Sequence, residues 1–275
     1  MDDSIIIKKY SHTALFYVLA TVIPWAFWFT AAYVSHHFTP ENKAADIATK
    51  LGLVGLFSPM IIAFWLISRN RDLQKDTFGR FVNFQADKFW YYLLACLLML
   101  VSILLAQAVS LLFGHSVSQF VITGHFTFTS GVFPVWFLLI LAPVIEELAW
   151  HSYGTDSLRS RMNLFTASLL FGFYWAIWHF PLAGIKGYYH ANVVEEGWLY
   201  SLNFVVSLIP FVILMNWLYY KTNRNILVAV VFHITAGFFN EIFATHPDSK
   251  CIQTVILLIV SLIVVIKERD LFFHK

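Results

Sequence analysis

Residues 132–153 read VFPVWFLLILAPVIEELAWHSY. An uncharged, almost wholly apolar run meets two adjacent carboxylates, Glu146 and Glu147, and the chain stays mostly apolar beyond them. Such a stretch belongs in hydrocarbon, where a charged side chain costs on the order of 2.5–3.5 kcal/mol on insertion scales and usually marks function. Two questions follow: what surrounds this segment, and what meets its carboxylates.

The rest of the chain has the same character. Of 275 residues, 59% are hydrophobic and 12% charged, against about 25% charged in a soluble domain. The mean hydropathy is +0.69. Apolar residues gather in eight blocks, roughly 12–34, 51–68, 89–113, 132–158, 163–181, 198–220, 225–243 and 252–266. Each is near the ~20 residues a helix needs to cross a bilayer. Helices are expected because an open sheet leaves backbone groups unpaired in lipid. The sequence therefore predicts an all-α membrane protein of about eight transmembrane helices, with one polytopic domain over 1–275.

Fourteen of the eighteen Lys and Arg fall on one side of this alternation, among them Lys8, Lys9, Arg80, Arg159, Arg224 and Lys267. Lys43, Lys50, Lys186 and Lys250 fall on the other. The positive-inside bias places both termini in the cytoplasm. The first block follows Lys8 and Lys9, lacks a small-residue cleavage site and is expected to stay as an anchor. Residues 71–90, RDLQKDTFGRFVNFQADKFW, are amphipathic and predict an anchoring segment on the inner interface. Cys96 and Cys251 form no CxxC pair, which points away from a disulfide framework or a thiolate metal site. The expected surroundings are a lipid bilayer, namely a cell membrane of the bacterial plasma or inner type, with no nucleic-acid partner.

Within the helix blocks the acids are Glu146, Glu147 and Glu241. His179 and His233 lie clearly inside, and His151 sits about a turn past the glutamates. The other charges lie in loops or near helix ends and are expected to be solvated or interfacial. Block four runs to about Arg159, and block five returns from about Asn163. Measured from a turn near residue 161, Glu146 and His179 differ in height by about 5 Å at ~1.5 Å per residue. Helices joined by a short loop pack as antiparallel neighbours, so these two can face each other. His233 reaches the same layer only if its helix starts deeper. Glu147 and His151 are i, i+4 and predict a hydrogen bond, while Glu146 turns about 100° away. His233 and Asn240 share a helix face. A carboxylate beside a histidine in a membrane can activate water, hold a metal or relay protons. A further histidine can stabilise an oxyanion. The relay use makes a proton-coupled transporter the weaker alternative, since no inverted repeat is evident.

Three segments carry a family resemblance: EELAWHSYGTDSL from Glu146, FGFYWAIWHFPL over Phe171–Leu182, and the segment around His233. They resemble the motifs of the CPBP (CAAX protease and bacteriocin-processing, or Abi) intramembrane endopeptidases. Those motifs are a Glu-Glu pair with an Arg four positions after the second Glu, an aromatic four before a His, and a His four before an Asn. The resemblance spans about 132–243 and implies an eight-helix fold and hydrolysis of a peptide bond in a peptide or membrane-associated protein. It implies Glu146 as general base on a water, His179 as its assistant, His233 at the oxyanion and Glu147 as the support of the first motif. It leaves the metal unknown, since zinc-dependent and metal-free glutamate mechanisms are both proposed for the family. Two positions depart from the pattern. His151 stands where the Arg is expected, and Gly237 where the Asn is expected, with Asn240 about one turn further, or the neighbouring Glu241, as its substitute. These departures raise the alternative of a catalytically inactive member acting in binding, immunity or scaffolding.

Overall fold

The computed structural model describes residues 3–123, 126, 128 and 133–274. The described residues are helical with no strand among them; one isolated bridge joins Ile122 to Phe243. In chain order the helices are α1 (Asp3–Ile7), α2 (Thr13–His37), α3 (Glu41–Ser68), α4 (Arg71–Val82), α5 (Phe89–Ser110), α6 (Val135–Ala149) and α7 (Thr155–Arg159). They continue as α8 (Leu164–Trp178), α9 (Tyr189–Glu196), α10 (Trp198–Lys221), α11 (Ile226–Ile242), α12 (Pro247–Lys267) and α13 (Arg269–Phe273). Position 132, the expected start of the fourth block, lies outside the described residues.

Helix α12 shows a pattern common in membrane proteins, with hydroxyl and amide side chains on its inward stripe and large apolar residues on its outer face. On α12, Ser249, Gln253, Leu257, Ser261 and Val265 recur every four residues and are buried, whereas Val255, Ile259, Leu262 and Ile266 are exposed. Successive residues on such a stripe lie one above another along the helix, and small or hydroxyl side chains let neighbouring helices approach and bond. Gln253 Nε2 accordingly donates to Ser102 Oγ of α5 at 2.9 Å. Asparagine side chains start three helices: Asn70 accepts from Asp72 N, Asn163 from Thr166 N and Asn225 from Val228 N. Each cap satisfies an amide that has no partner within its helix.

Among the described residues, six helical stretches are long and apolar enough to cross a membrane: Thr13–His37, Lys43–Ser68, Ala86–Phe113, Val135–Arg159, Trp198–Lys221 and Pro247–Lys267. A seventh arises if Leu164–Gly184 and Tyr189–Glu196, bent by 89°, form one broken span. All eight sequence blocks thus fall on helices, but two are short. Helix α8 has 15 residues and α11 has 17, or roughly 22 and 25 Å at 1.5 Å per residue. Both fall below the ~30 Å hydrocarbon thickness. These are the helices that carry His179 and His233.

Two elements differ from the sequence reading. Helix α3 begins at Glu41, about ten residues before its apolar block, because amphipathic residues extend the helix past the hydrophobic stretch. Block five stops at Trp178 and turns sharply into α9, which hydropathy alone does not register. Residues 71–82 form α4, anchored by a Lys9–Asp72 ion pair that holds the Asp72 carboxyl below its usual range. Residues near both termini meet at one end of the bundle: Arg161 Nη2 donates to Ser11 O at 2.7 Å and Arg159 Nη2 to His274 O at 2.9 Å. Helix α6 runs between α3 and α11, while α8 and α12 both pack on α10.

Candidate active site

Helix α6 reaches Ala149 and then loosens into a π-helical turn, Trp150–Gly154, before α7 resumes the α-helix. Single π turns inside α-helices occur frequently at functional sites. This one starts three residues after the glutamate pair. Its carbonyls are gripped from another helix: Arg80 Nη1 donates to His151 O and Arg80 Nη2 to Ser152 O, both at 2.9 Å. Tyr219 Oη also donates to His151 O, at 3.1 Å. Gly154 admits α2 to the turn, since a Cβ there would stand 2.9 Å from Phe16 Cε1.

Glu147 is fully buried and joins two histidines. One carboxylate oxygen pairs with His151 Nδ1, as the i, i+4 spacing predicts, and the other accepts from His233 Nδ1 at 2.8 Å. His151 is itself held on both sides. Its Nε2 lies 3.0 Å from Asn216 Oδ1, Asn216 Nδ2 donates to Ser168 Oγ at 2.9 Å, and Ser168 Oγ donates to Leu164 O. Both ring nitrogens therefore face oxygens, on two sides, as an arginine's N–H groups would. Asn216 and Ser168 escape a motif search because they come from α10 and α8 and carry no charge.

Glu146 turns the other way, onto the wall of a cavity of about 360 Å³ that His179, His190, His233, Gly237 and Asn240 also line. Its Oε2 accepts from Trp175 Nε1 at 3.1 Å. His179 caps the C-terminus of α8 and bonds the same tryptophan's carbonyl through Nδ1 at 2.6 Å. Trp175 is thus the hub between the carboxylate and the imidazole. Its ring also meets the His233 ring edge to face at 5.1 Å. His233 reaches the layer of the glutamates, as its bond to Glu147 requires.

Two cavity residues read differently from the sequence expectation. Asn240 lines the cavity, but its amide donates back to Ala236 O at 2.9 Å within its own helix. His190, on the sharply turned α9, stacks on His179 with centroids 4.8 Å apart, and its buried Nδ1 has no hydrogen-bond partner among the described residues. The bend between α8 and α9 brings it there, so spacing along the chain gives no hint of it.

The donor chemistry suits a metal: with each histidine's Nδ1 committed, Glu146, His179 Nε2 and His233 Nε2 remain, a two-histidine, one-carboxylate set. Their spacing is more open than a closed site. Among the described residues the group with ligand atoms all within 4.8 Å of one another is His115, His246 and Asp248, elsewhere in the fold.

Charges expected in solvent are instead packed behind the π turn. Asp156 is 0% exposed, and Arg80 and Arg224 are buried around it. Arg80 Nη1 contacts Asp156 Oδ2 at 3.0 Å, and Tyr220 Oη donates to Asp156 Oδ1 at 2.8 Å. Arg224 takes Asp76 two-pronged at 3.0 and 2.9 Å. The expectation of solvated charges fails here because α4 folds under the helix ends and closes water out. Paired and multiply hydrogen-bonded, such charges can be buried; single ones cannot.

Residues 127–239 match the family described as type II CAAX prenyl endopeptidase Rce1-like. The CAAX prenyl protease 2 of Methanococcus maripaludis is 37% identical over 272 residues, covering 98% of this chain and 99% of that protein.

Proposed function

This chain belongs to the CPBP family as a CAAX-type intramembrane peptidase, and from that premise we propose that it hydrolyses a peptide bond in a prenylated CAAX terminus, with Glu146 activating the water. The observation that supports this reading most is the Trp175 hub, which ties Glu146 and His179 to one residue on a shared cavity wall.

The hydrogen bonds suggest a division of labour. His179 Nδ1–H is given to the Trp175 carbonyl, which leaves Nε2 as a lone pair able to orient or accept a proton from water. Glu146 takes the proton as the water attacks and returns it to the leaving amine. His233 faces the cavity with Nδ1 on Glu147, so its Nε2 can serve the oxyanion when the ring carries both protons. Glu147 and His151 position that ring and touch no substrate. We place both termini in the cytoplasm, the whole chain as one polytopic unit and the protein in the cell membrane, on the Lys and Arg asymmetry.

The test is turnover of a prenylated CAAX peptide by purified protein reconstituted in lipid. Glu146→Ala and His179→Ala should each lower kcat at least about a hundredfold, the lower end for loss of a general base. Unchanged turnover in both variants sinks the assignment. A chelator arm, run in wild type and in His115→Ala, separates the two ways of activating the water: loss of activity restored by zinc in both assigns a metal held with Glu146, and full activity in chelator assigns the glutamate alone.

One observation favours a second reading, an inert family member that only binds its partner. Position 237, where the motif carries an amide, has no side chain at all. A parent without turnover that gains it in His151→Arg with Gly237→Asn would establish that reading.

A further inference from the structure

The loop after α5 is held firmly against the start of α12. Gly114, at φ 86°, takes the left-handed turn that glycine allows, and His115 N donates back to Ser110 O at 3.3 Å. Gln107 Nε2 then bonds Gln119 O at 3.0 Å and Thr245 Oγ1 at 2.7 Å. Ser249 Oγ donates to Gln119 Oε1 at 2.6 Å. Gln119 and Ser249 are both buried, so these bonds are shielded from competing water. Nothing in the hydrolytic site uses this polar cluster.

Its effect is to bring three metal-ligating side chains together. His115, His246 and Asp248 each offer a ligand atom, all within 4.8 Å of one another. His115 Nε2 lies 3.3 Å from Asp248 Oδ2, and His246 Nδ1 lies 3.5 Å from the same oxygen. The two imidazole rings are 4.4 Å apart. Ligands about 2.0–2.1 Å from a tetrahedral zinc stand roughly 3.3–3.5 Å from each other, so the two measured edges already match. The other Asp248 oxygen accepts from Tyr200 Oη at 2.9 Å, the kind of outer bond that orients a ligating carboxylate.

We propose that His115, His246 and Asp248 form a site for a divalent transition metal, clipping the loop after α5 to the N-terminus of α12. Two imidazoles and one carboxylate suit zinc and its neighbours rather than calcium or magnesium, which take oxygen ligands. Ligation replaces one weak contact, the 3.2 Å cap from Asp248 N to His246 Nδ1. Tyr200 and Pro247 line the cavity, so the ion would fix α10 and α12 at its rim without touching the reacting groups.

The test uses tag-free protein in detergent, stripped with chelator and titrated with zinc chloride by calorimetry, with a thermal melt in parallel. The expected result is a rim-bound ion and a melting temperature raised by roughly 5–10 °C at a hundredfold excess over Kd. His115→Ala and Asp248→Asn should each weaken binding at least tenfold and remove the shift, with metal-free melting temperatures unchanged. Glu146→Gln should bind at the rim as wild type does, which separates this ion from any held in the hydrolytic cavity. Wild-type protein that binds no zinc overturns the proposal. So does binding that survives in both rim variants or is lost in Glu146→Gln.

Discussion

Gly237→Asn tests how the cavity stabilises negative charge. Helix α11 places Gly237 on the cavity wall one turn after His233. Among the described residues a Cβ built there meets only Leu139 Cδ2, at 3.7 Å, an ordinary van der Waals contact, so the backbone has room for a side chain. Replacing a mid-helix glycine also relieves a few tenths of a kcal/mol of helix propensity cost, so the variant should fold at least as well as the parent. The neighbouring amide is not a ready substitute, because Asn240 Nδ2 is committed to Ala236 O. On the proposed mechanism His233 Nε2 is then left as the principal oxyanion donor. One well-placed donor is worth about 2.7–4 kcal/mol, or 10²–10³ in kcat. An asparagine introduced without evolved support should recover part of that, and we expect kcat to rise roughly 10- to 100-fold with KM little changed. The assay is initial rates on a prenylated CAAX peptide over a range of concentrations, with melting curves as the folding control. A folded variant whose kcat stays at the parent value refutes the placing of residue 237 beside the oxyanion.

Trp175→Phe keeps the ring but removes the N–H that Glu146 accepts. A hydrogen bond to a charged group is worth about 1.5–3 kcal/mol, so kcat should fall roughly 10- to 100-fold, and unchanged kcat would show that the bond does not position the base. Arg80→Met removes the donor to the Ser152 carbonyl, one of two donors to the His151 carbonyl and one of the donors to Asp156. Breaking such a buried pair costs on the order of 3–5 kcal/mol, readable as a lowered unfolding midpoint in denaturant, and Arg80→Lys should not restore it because one ammonium lacks the guanidinium's fork. Gly154→Ala puts a methyl 2.9 Å from Phe16 Cε1. It should cost about 1–3 kcal/mol by overpacking, measured by the same unfolding curves.

Much of this architecture is legible along the chain because hydrophobic blocks and i, i+4 spacing are local signals. The Glu147–His151 contact follows from helix geometry alone, and the antiparallel return from Arg159 to Asn163 brings Glu146 near the end of α8. The unread parts depend on contacts distant in sequence. Arg80 grips the carbonyl of His151, 71 residues away, and Arg224 meets Asp156, 68 residues away. A charge near a helix end looks the same in sequence whether water or α4 covers it. The π turn leaves no compositional trace, since WHSYG reads equally well as ordinary helix. Trp175 hides for a similar reason: its N–H matters only once Glu146 is opposite, and a tryptophan in a membrane segment usually needs no such account.

The short length of α8 has a consequence for the supply of one reactant. Hydrolysis in a bilayer consumes water where the surrounding lipid holds almost none. A helix that stops at Trp178 leaves the last carbonyls of its final turn, and the 3₁₀ turn Phe180–Gly184 beyond it, without full intrahelical partners. Irregular backbone at such depth is tolerated when protein buries it or when it borders a water-filled cavity. His179 is the residue at that stop, and it faces the cavity. On the proposed mechanism the premature end of α8 would open a way in for that reactant: water entering the cavity past His179 would arrive beside Glu146, the group proposed to use it.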